Sequence, residues 1–217
     1  MRLTILYDNT VYRAGAGLMA RWGFSCLVET GRRRILFDTG GDGQVLLSNM
    51  AALDVSPGDI DVVVVSHEHW DHAGGLPSLL ERKPDVRVYR LKRPSSPAAE
   101  TITVEEPCRI VDDVFSTGRL SGSPVDEQSL VLRCGKQWYV LTGCSHPGVA
   151  AILEAAGKHG NVDGIIGGLH GFDSYELLDG MMLVCPTHCT QHVDGIRRRY
   201  PGRYITGGVG RVIHLER

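Results

Sequence analysis

The chain has 217 residues, 42% of them apolar and 22% charged, with a formal net charge of −2. That length holds one domain, or a pair of sub-lobes, with a sizeable core. The near-neutral charge excludes a broad electrostatic pull toward nucleic acid or anionic membrane, and no apolar stretch approaches the roughly 20 residues that span a bilayer.

Met1 to Leu6 is too short for the apolar segment of a signal peptide, so none is expected. The six cysteines lack a paired framework, which predicts reduced thiols and a cytoplasmic setting. Cys185 and Cys189 bracket His188, but one such pair is two ligands short of a structural zinc site. The runs Arg32-Arg33-Arg34 and Arg197-Arg198-Arg199 are short and read as solvated edges.

In chain order, Arg2 to Tyr7 is a strand, and Ser25–Glu29 with Arg34–Phe37 forms a hairpin around Thr30-Gly31. Asp38-Thr39-Gly40-Gly41 ends it. Gln44 to Leu53 has helical apolar spacing and stops before Ser56-Pro57-Gly58. Ile60 to Ser66 is a buried strand, Gly75 to Arg82 a helix, and Val86 to Leu91 a strand. The stretch 93–107, rich in Pro, Ser and Glu, reads as a long loop or lid.

The second half runs similarly. Ser129–Arg133 and Gln137–Leu141 form a hairpin, followed by the loop Thr142 to Gly148 and a helix over 149–159. Strands over 162–166 and 181–185 end in Gly167-Gly168-Leu169-His170 and Pro186-Thr187-His188-Cys189. Gln191 to Tyr200 is a helix, and 203–215 a strand or hairpin. Hairpins followed by strand–loop–helix units in both halves predict an α/β fold, an αββα four-layer sandwich.

The chemistry concentrates at strand ends. His67, His69, Asp71 and His72 place three imidazoles and a carboxylate within six residues, directly after an apolar run. Neutral imidazole and ionised carboxylate are ligands for zinc and neighbouring first-row cations. His67 and His69 can bind one ion, and Asp71 and His72 point to a second position. Asp38, His146, His170 and His188 also end apolar segments, with His146 and His188 the natural completions. His170 is either a ligand in place of His188 or an uncoordinated imidazole facing substrate. His159, His192 and His214 read as structural or solvent-facing; Tyr12, Trp70 and Trp138 serve a pocket wall or a core equally well.

These residues resemble the metallo-β-lactamase-fold hydrolase superfamily, whose H-x-H-x-D-H signature is met at His67, His69, Asp71 and His72, with the preceding Asp38-Thr39-Gly40. Tyr7-Asp8-Asn9, Gly143-Cys144-Ser145-His146-Pro147-Gly148, Gly167-Gly168-Leu169-His170 and His188-Cys189-Thr190 resemble the branch of dihydropterin-ribofuranosylaminobenzene-phosphate-synthase-like proteins. The resemblance covers essentially the whole chain and implies a single metallo-β-lactamase-like domain over 1–217. It implies His67, His69 and His146 as ligands of one metal, and Asp71, His72 and His188 of a second. Asp38 then orients ligands by hydrogen bonds. The cofactor expected is zinc, two ions, with manganese or iron as alternatives. Cys144 stands where many members carry a bridging aspartate; its thiolate either ligates or the side chain packs.

The activity implied is hydrolysis by metal-bound hydroxide of a phosphoester or a carboxylic ester, thioester or lactone, with Asp71 and His170 as catalytic groups. The substrate expected is a small molecule, with phosphate favoured by the branch resemblance. No membrane or nucleic-acid partner is indicated. Rival readings are an iron oxidoreductase of the same fold, of the persulfide dioxygenase kind, and a non-catalytic metal-dependent binding protein.

Overall fold

Two β-sheets organise the chain, each within its own compact unit: Met1–Glu105 with Gly208–Leu215, and Glu106–Gly207. The structure is a computed structural model that describes residues 1–13, 17–94 and 100–215.

In the first unit the sheet order is β13-β1-β2-β3-β4-β5-β6, from β1 (Arg2–Tyr7), β2 (Ser25–Glu29), β3 (Arg34–Phe37), β4 (Val62–Val64), β5 (Arg87–Arg90), β6 (Thr101–Thr103) and β13 (Val212–His214). The strands from β13 to β3 pair antiparallel, whereas β3, β4, β5 and β6 run parallel. Parallel strands need crossovers, supplied here by α1 (Gly43–Ala52) between β3 and β4, and by α2 (Trp70–Ala73) with α3 (Leu76–Arg82) between β4 and β5. Asp42 starts α1 by accepting hydrogen bonds from the amides of Gln44 and Val45. Val45, Leu46 and Met50 of α1 pack with Leu76 and Leu79 of α3 and with Leu36, Val63 and Val88 of the sheet. Asn49 is the polar exception, and it is satisfied: its amide donates to the carbonyls of Leu6 and Met19, both at 2.9 Å.

The second unit has the order β12-β11-β10-β9-β8-β7, from β7 (Cys108–Val111), β8 (Val114–Ser116), β9 (Leu130–Cys134), β10 (Gln137–Thr142), β11 (Val162–Gly168) and β12 (Leu183–Thr187). Here too an antiparallel half, β7 to β10, leads into a parallel half, β10 to β12. The helix α4 (Val149–Gly157) crosses from β10 to β11, and α5 (Val193–Arg199) follows β12. Val149, Ile152 and Ala156 of α4 and Ile196 of α5 pack with Val140, Ile165 and Val184.

The structure departs from the sequence expectations at several places, and β7 and β8 are not among the expected strands. The buried strand at 60–66 narrows to β4, because Ser66 turns from the ladder to hydrogen-bond Asp38. The stretch 93–107 contains β6 in its described part, and residues 95–99 lie outside the described residues. The final segment forms a strand only over β13, with isolated bridges of Tyr204 to Val184 and of Val209 to Val11 upstream. No helix among the described residues is long and apolar enough to cross a membrane.

In each unit the parallel strands finish close together, with Phe37 opposite Val64 on one sheet and Thr142 opposite Gly167 and Gly168 opposite Thr187 on the other. The loops beyond parallel strand ends are where an α/β sheet presents ligand-binding groups. All the polar clusters singled out above occupy those loops.

Candidate metal centre

In the first unit the Asp38-Thr39-Gly40 turn fixes the ligand loop. Asp38 is fully buried and left-handed at φ 58°, held by its amide to the Val64 carbonyl at 2.8 Å. Its Oδ1 accepts from the Ser66 amide at 2.6 Å; its Oδ2 accepts from Ser66 Oγ at 2.7 Å and from His72 Nδ1 at 2.7 Å. Burial pushes the Asp38 carboxyl above its ordinary range, and the bonds from His72 and Ser66 oppose that. Thr39 adds two bonds to the His72 carbonyl, from N at 2.7 Å and from Oγ1 at 2.9 Å. Gly40, also left-handed, lies so close to the Tyr7 ring that a Cβ there would fall 2.3 Å from it.

These bonds sort the protons. Asp38 takes the Nδ1–H of His72, which leaves the Nε2 lone pair free of the ring's proton. Ser66 Oγ gives its proton to Asp38 and so accepts from His67 Nδ1 at 2.9 Å, which likewise turns His67 Nε2 into a lone-pair donor. That nitrogen stands 3.2 Å from His69 Nδ1. Two nitrogens bound about 2.05 Å from a tetrahedral ion stand about 3.3 Å apart, so the pair fits zinc or an ion of similar size. Asp71 is buried, its Oδ2 lying 3.9 Å from His72 Nε2 and accepting from the Trp22 indole at 2.7 Å. Glu68, inside the same motif, turns to Arg90 instead, whose Nε donates to it at 3.0 Å. Trp70 is exposed beside Gly41 rather than packed in a core.

The second unit builds its loops around a residue that the sequence did not mark. Glu127 is fully buried, and its Oε1 accepts from Thr142 Oγ1 and from the amides of Gly143, Cys144 and Ser145 at 2.9 to 3.2 Å. Its Oε2 accepts from the His146 amide at 2.9 Å. One carboxylate thus cradles the whole Gly-Cys-Ser-His turn. The ligand atoms of His146 and His188 each lie within 4.8 Å of Cys144 Sγ. The His146 and His170 rings meet edge to face at 4.6 Å.

His170 Nδ1 contacts Cys189 Sγ at 2.8 Å, a partner absent from the sequence expectations. The Cys189 thiol is held down at about 6 by the Cys144 hydrogen bond and by the fields of His188 and His170, against burial. The loops are close-fitting: a Cβ on Gly168 would fall 2.4 Å from the Gly143 carbonyl oxygen and 2.7 Å from Cys189 Sγ. Cys185, by contrast, is fully buried within β12 and joins none of the candidate ligand groups among the described residues. His159 stacks on Phe115 and Trp138, a structural role as expected.

Residues 23–155 match the model of the metallo-β-lactamase superfamily. The chain belongs to the metallo-β-lactamase superfamily. Members of this superfamily are largely metal-dependent hydrolases that bind divalent metals, usually zinc, and the histidine and cysteine groups above are candidate ligands. The chain is 26% identical to a metal-dependent hydrolase of the β-lactamase superfamily, Tm1679, whose crystal structure superposes with a TM-score of 0.80 over 100% of both chains. An uncharacterized protein of Methanocaldococcus jannaschii is 25% identical over 98% of this chain and 100% of its own. The 7,8-dihydropterin-6-methyl-4-(beta-D-ribofuranosyl)-aminobenzene-5'-phosphate synthase of the same organism is 25% identical over 77% of this chain and 80% of its own, in agreement with the branch resemblance. The fold, α/β with two sheets, is that of this superfamily.

Proposed function

We propose that this superfamily member is a hydrolase of phosphoester or of carboxylic ester, thioester or lactone bonds, dependent on two zinc ions. The observation that carries the reading is the pair His67 Nε2 and His69 Nδ1, 3.2 Å apart beside a buried Asp38 that sets the tautomer of His72. A histidine ligand backed by a carboxylate is the arrangement that strengthens imidazole as a metal donor. The ligands assigned are His67, His69 and His146 for one ion, and Asp71, His72 and His188 for the other. When bound, the ions supply Lewis acidity and a water of lowered pKa.

The side chains do the rest. Asp71, steadied by the Trp22 indole, orients the attacking water and takes its proton. His170 has Nδ1 committed to Cys189, which leaves Nε2 to polarise the substrate oxygen or protonate the leaving group. A small phosphate-bearing substrate is favoured by the likeness to the synthase, whose name carries a 5'-phosphate. Six free cysteines support a reducing, cytoplasmic setting.

The test is to strip the protein with chelator, reload it with zinc, manganese or iron, and assay a phosphodiester, a lactone and a thioester. Turnover of at least one class, removed by chelator and restored by metal, is expected. Full metal occupancy with no turnover of any class favours a binding protein instead.

A further inference from the structure

The sulfur atoms of the second unit are not among the ligands assigned above, yet they are gathered. Cys144 Sγ, Cys189 Sγ and one nitrogen of His170 all lie within 4.8 Å of one another. They come from three loops, one after each of the parallel strands β10, β11 and β12. We propose that Cys144, Cys189 and His170 bind a thiophilic divalent ion, with no ligand drawn from His67, His69 or Asp71.

Two thiolates and an imidazole form a donor set suited to zinc and cadmium and ill-suited to magnesium or calcium. The backbone around them is fixed without an ion. Glu127 cradles residues 143–146 through four amides, so Cys144 has little freedom to leave. The Leu169 amide donates to Thr190 Oγ1 at 3.0 Å and the Gln191 amide to the His170 carbonyl at 2.8 Å, which tie the His170 loop to the Cys189 loop. Ser145 Oγ donates to the Gly168 carbonyl at 2.7 Å and joins the Cys144 loop to the end of β11. A glycine at 168 is what lets Cys189 Sγ come this close to β11.

The present 2.8 Å contact between Cys189 Sγ and His170 Nδ1 is a shared proton rather than a shared ion. A sulfur and a nitrogen on one tetrahedral zinc stand about 3.5 Å apart, from bond lengths of about 2.3 and 2.05 Å. The two side chains therefore open by less than an ångström as the proton leaves, a change within reach of their torsions. Binding exchanges protons for metal: the ion adds, two metal–sulfur bonds form, and every proton still on the two thiols passes to water. Three protein ligands leave a fourth position for water.

One equivalent of Cd2+ added to the chelator-stripped wild-type chain provides the test. X-ray absorption at the cadmium edge is expected to count two sulfurs, with a sulfur-to-metal band in the near ultraviolet. The band persists in His67→Ala/His69→Ala, whose loss of the other ligands leaves these three residues intact. In Cys189→Ser, one sulfur of two is gone and the band falls by about half. A count of one sulfur, a band lost with the histidine pair, or a Cys144–Cys189 disulfide in the stripped protein's mass overturns the proposal.

Discussion

His72 Nδ1 stands 2.7 Å from Asp38 Oδ2, and both side chains are sealed from solvent. The contact decides which nitrogen of His72 carries the proton, and so whether Nε2 can offer a lone pair. Asp38→Asn keeps the shape but alters that choice. The Ser66 amide requires an acceptor at one branch of the side chain, so the new NH2 faces His72. His72 then carries its proton on Nε2. Metal affinity is expected to fall roughly 10- to 100-fold with the fold retained, measured by competition against a chromophoric chelator. Unchanged affinity would refute the tautomer argument.

Glu127 tests the second unit. Its carboxylate accepts four amides and a hydroxyl while fully buried. Glu127→Gln replaces one acceptor oxygen by a donor and turns it toward N–H groups. Charge-assisted bonds contribute about 1.5–3 kcal/mol each, and a buried donor facing donors costs a similar amount. A loss of at least about 3 kcal/mol in denaturant unfolding is expected, larger than for a surface Glu→Gln change.

The metal-free chain should show one unusually acidic thiol. Cys189 sits at about 6 through its Cys144 hydrogen bond and the His188 and His170 fields, whereas burial pushes Cys108 up. Alkylation mapped by peptide mass is expected to label Cys189 between about pH 6 and 7, with Cys108 unlabelled there. Because the folded value lies below the ordinary thiol value of about 8.5, this group stabilises the fold fully above that pH. The contribution fades as pH falls through about 6.

Gly168→Ala probes the close approach of the loops. The added Cβ would meet two neighbours, the Gly143 carbonyl and Cys189 Sγ, well inside contact distance. The cost expected is about 1–3 kcal/mol from overpacking, with the acidic alkylation of Cys189 shifted upward. A stability and labelling profile equal to wild type would show that the loops are looser than described.

What the sequence revealed follows the range of the interactions. His67, His69, Asp71 and His72 were legible because their spacing is local and their strand is a plain apolar run. Asp38 was legible through its turn motif, although Ser66, which relays its charge to His67, was not singled out. Glu127 lies 15 to 19 residues before the turn that it cradles and acts on backbone amides, which leave no side-chain pattern to read. Trp22 reaches Asp71 across 49 residues, and Cys189 reaches Cys144 across 45. The strands β6, β7 and β8 escaped for another reason. They are three or four residues long, too short to show a period.

Metal content measured beside turnover in wild type and in His67→Ala tests the central claim most directly. Zinc-loaded wild type is expected to hold at least two ions and to hydrolyse a phosphodiester, lactone or thioester. His67→Ala, folded by circular dichroism, is expected to hold fewer ions than wild type and to lose turnover with them. A His67→Ala protein that is metal-free and fully active would contradict the account.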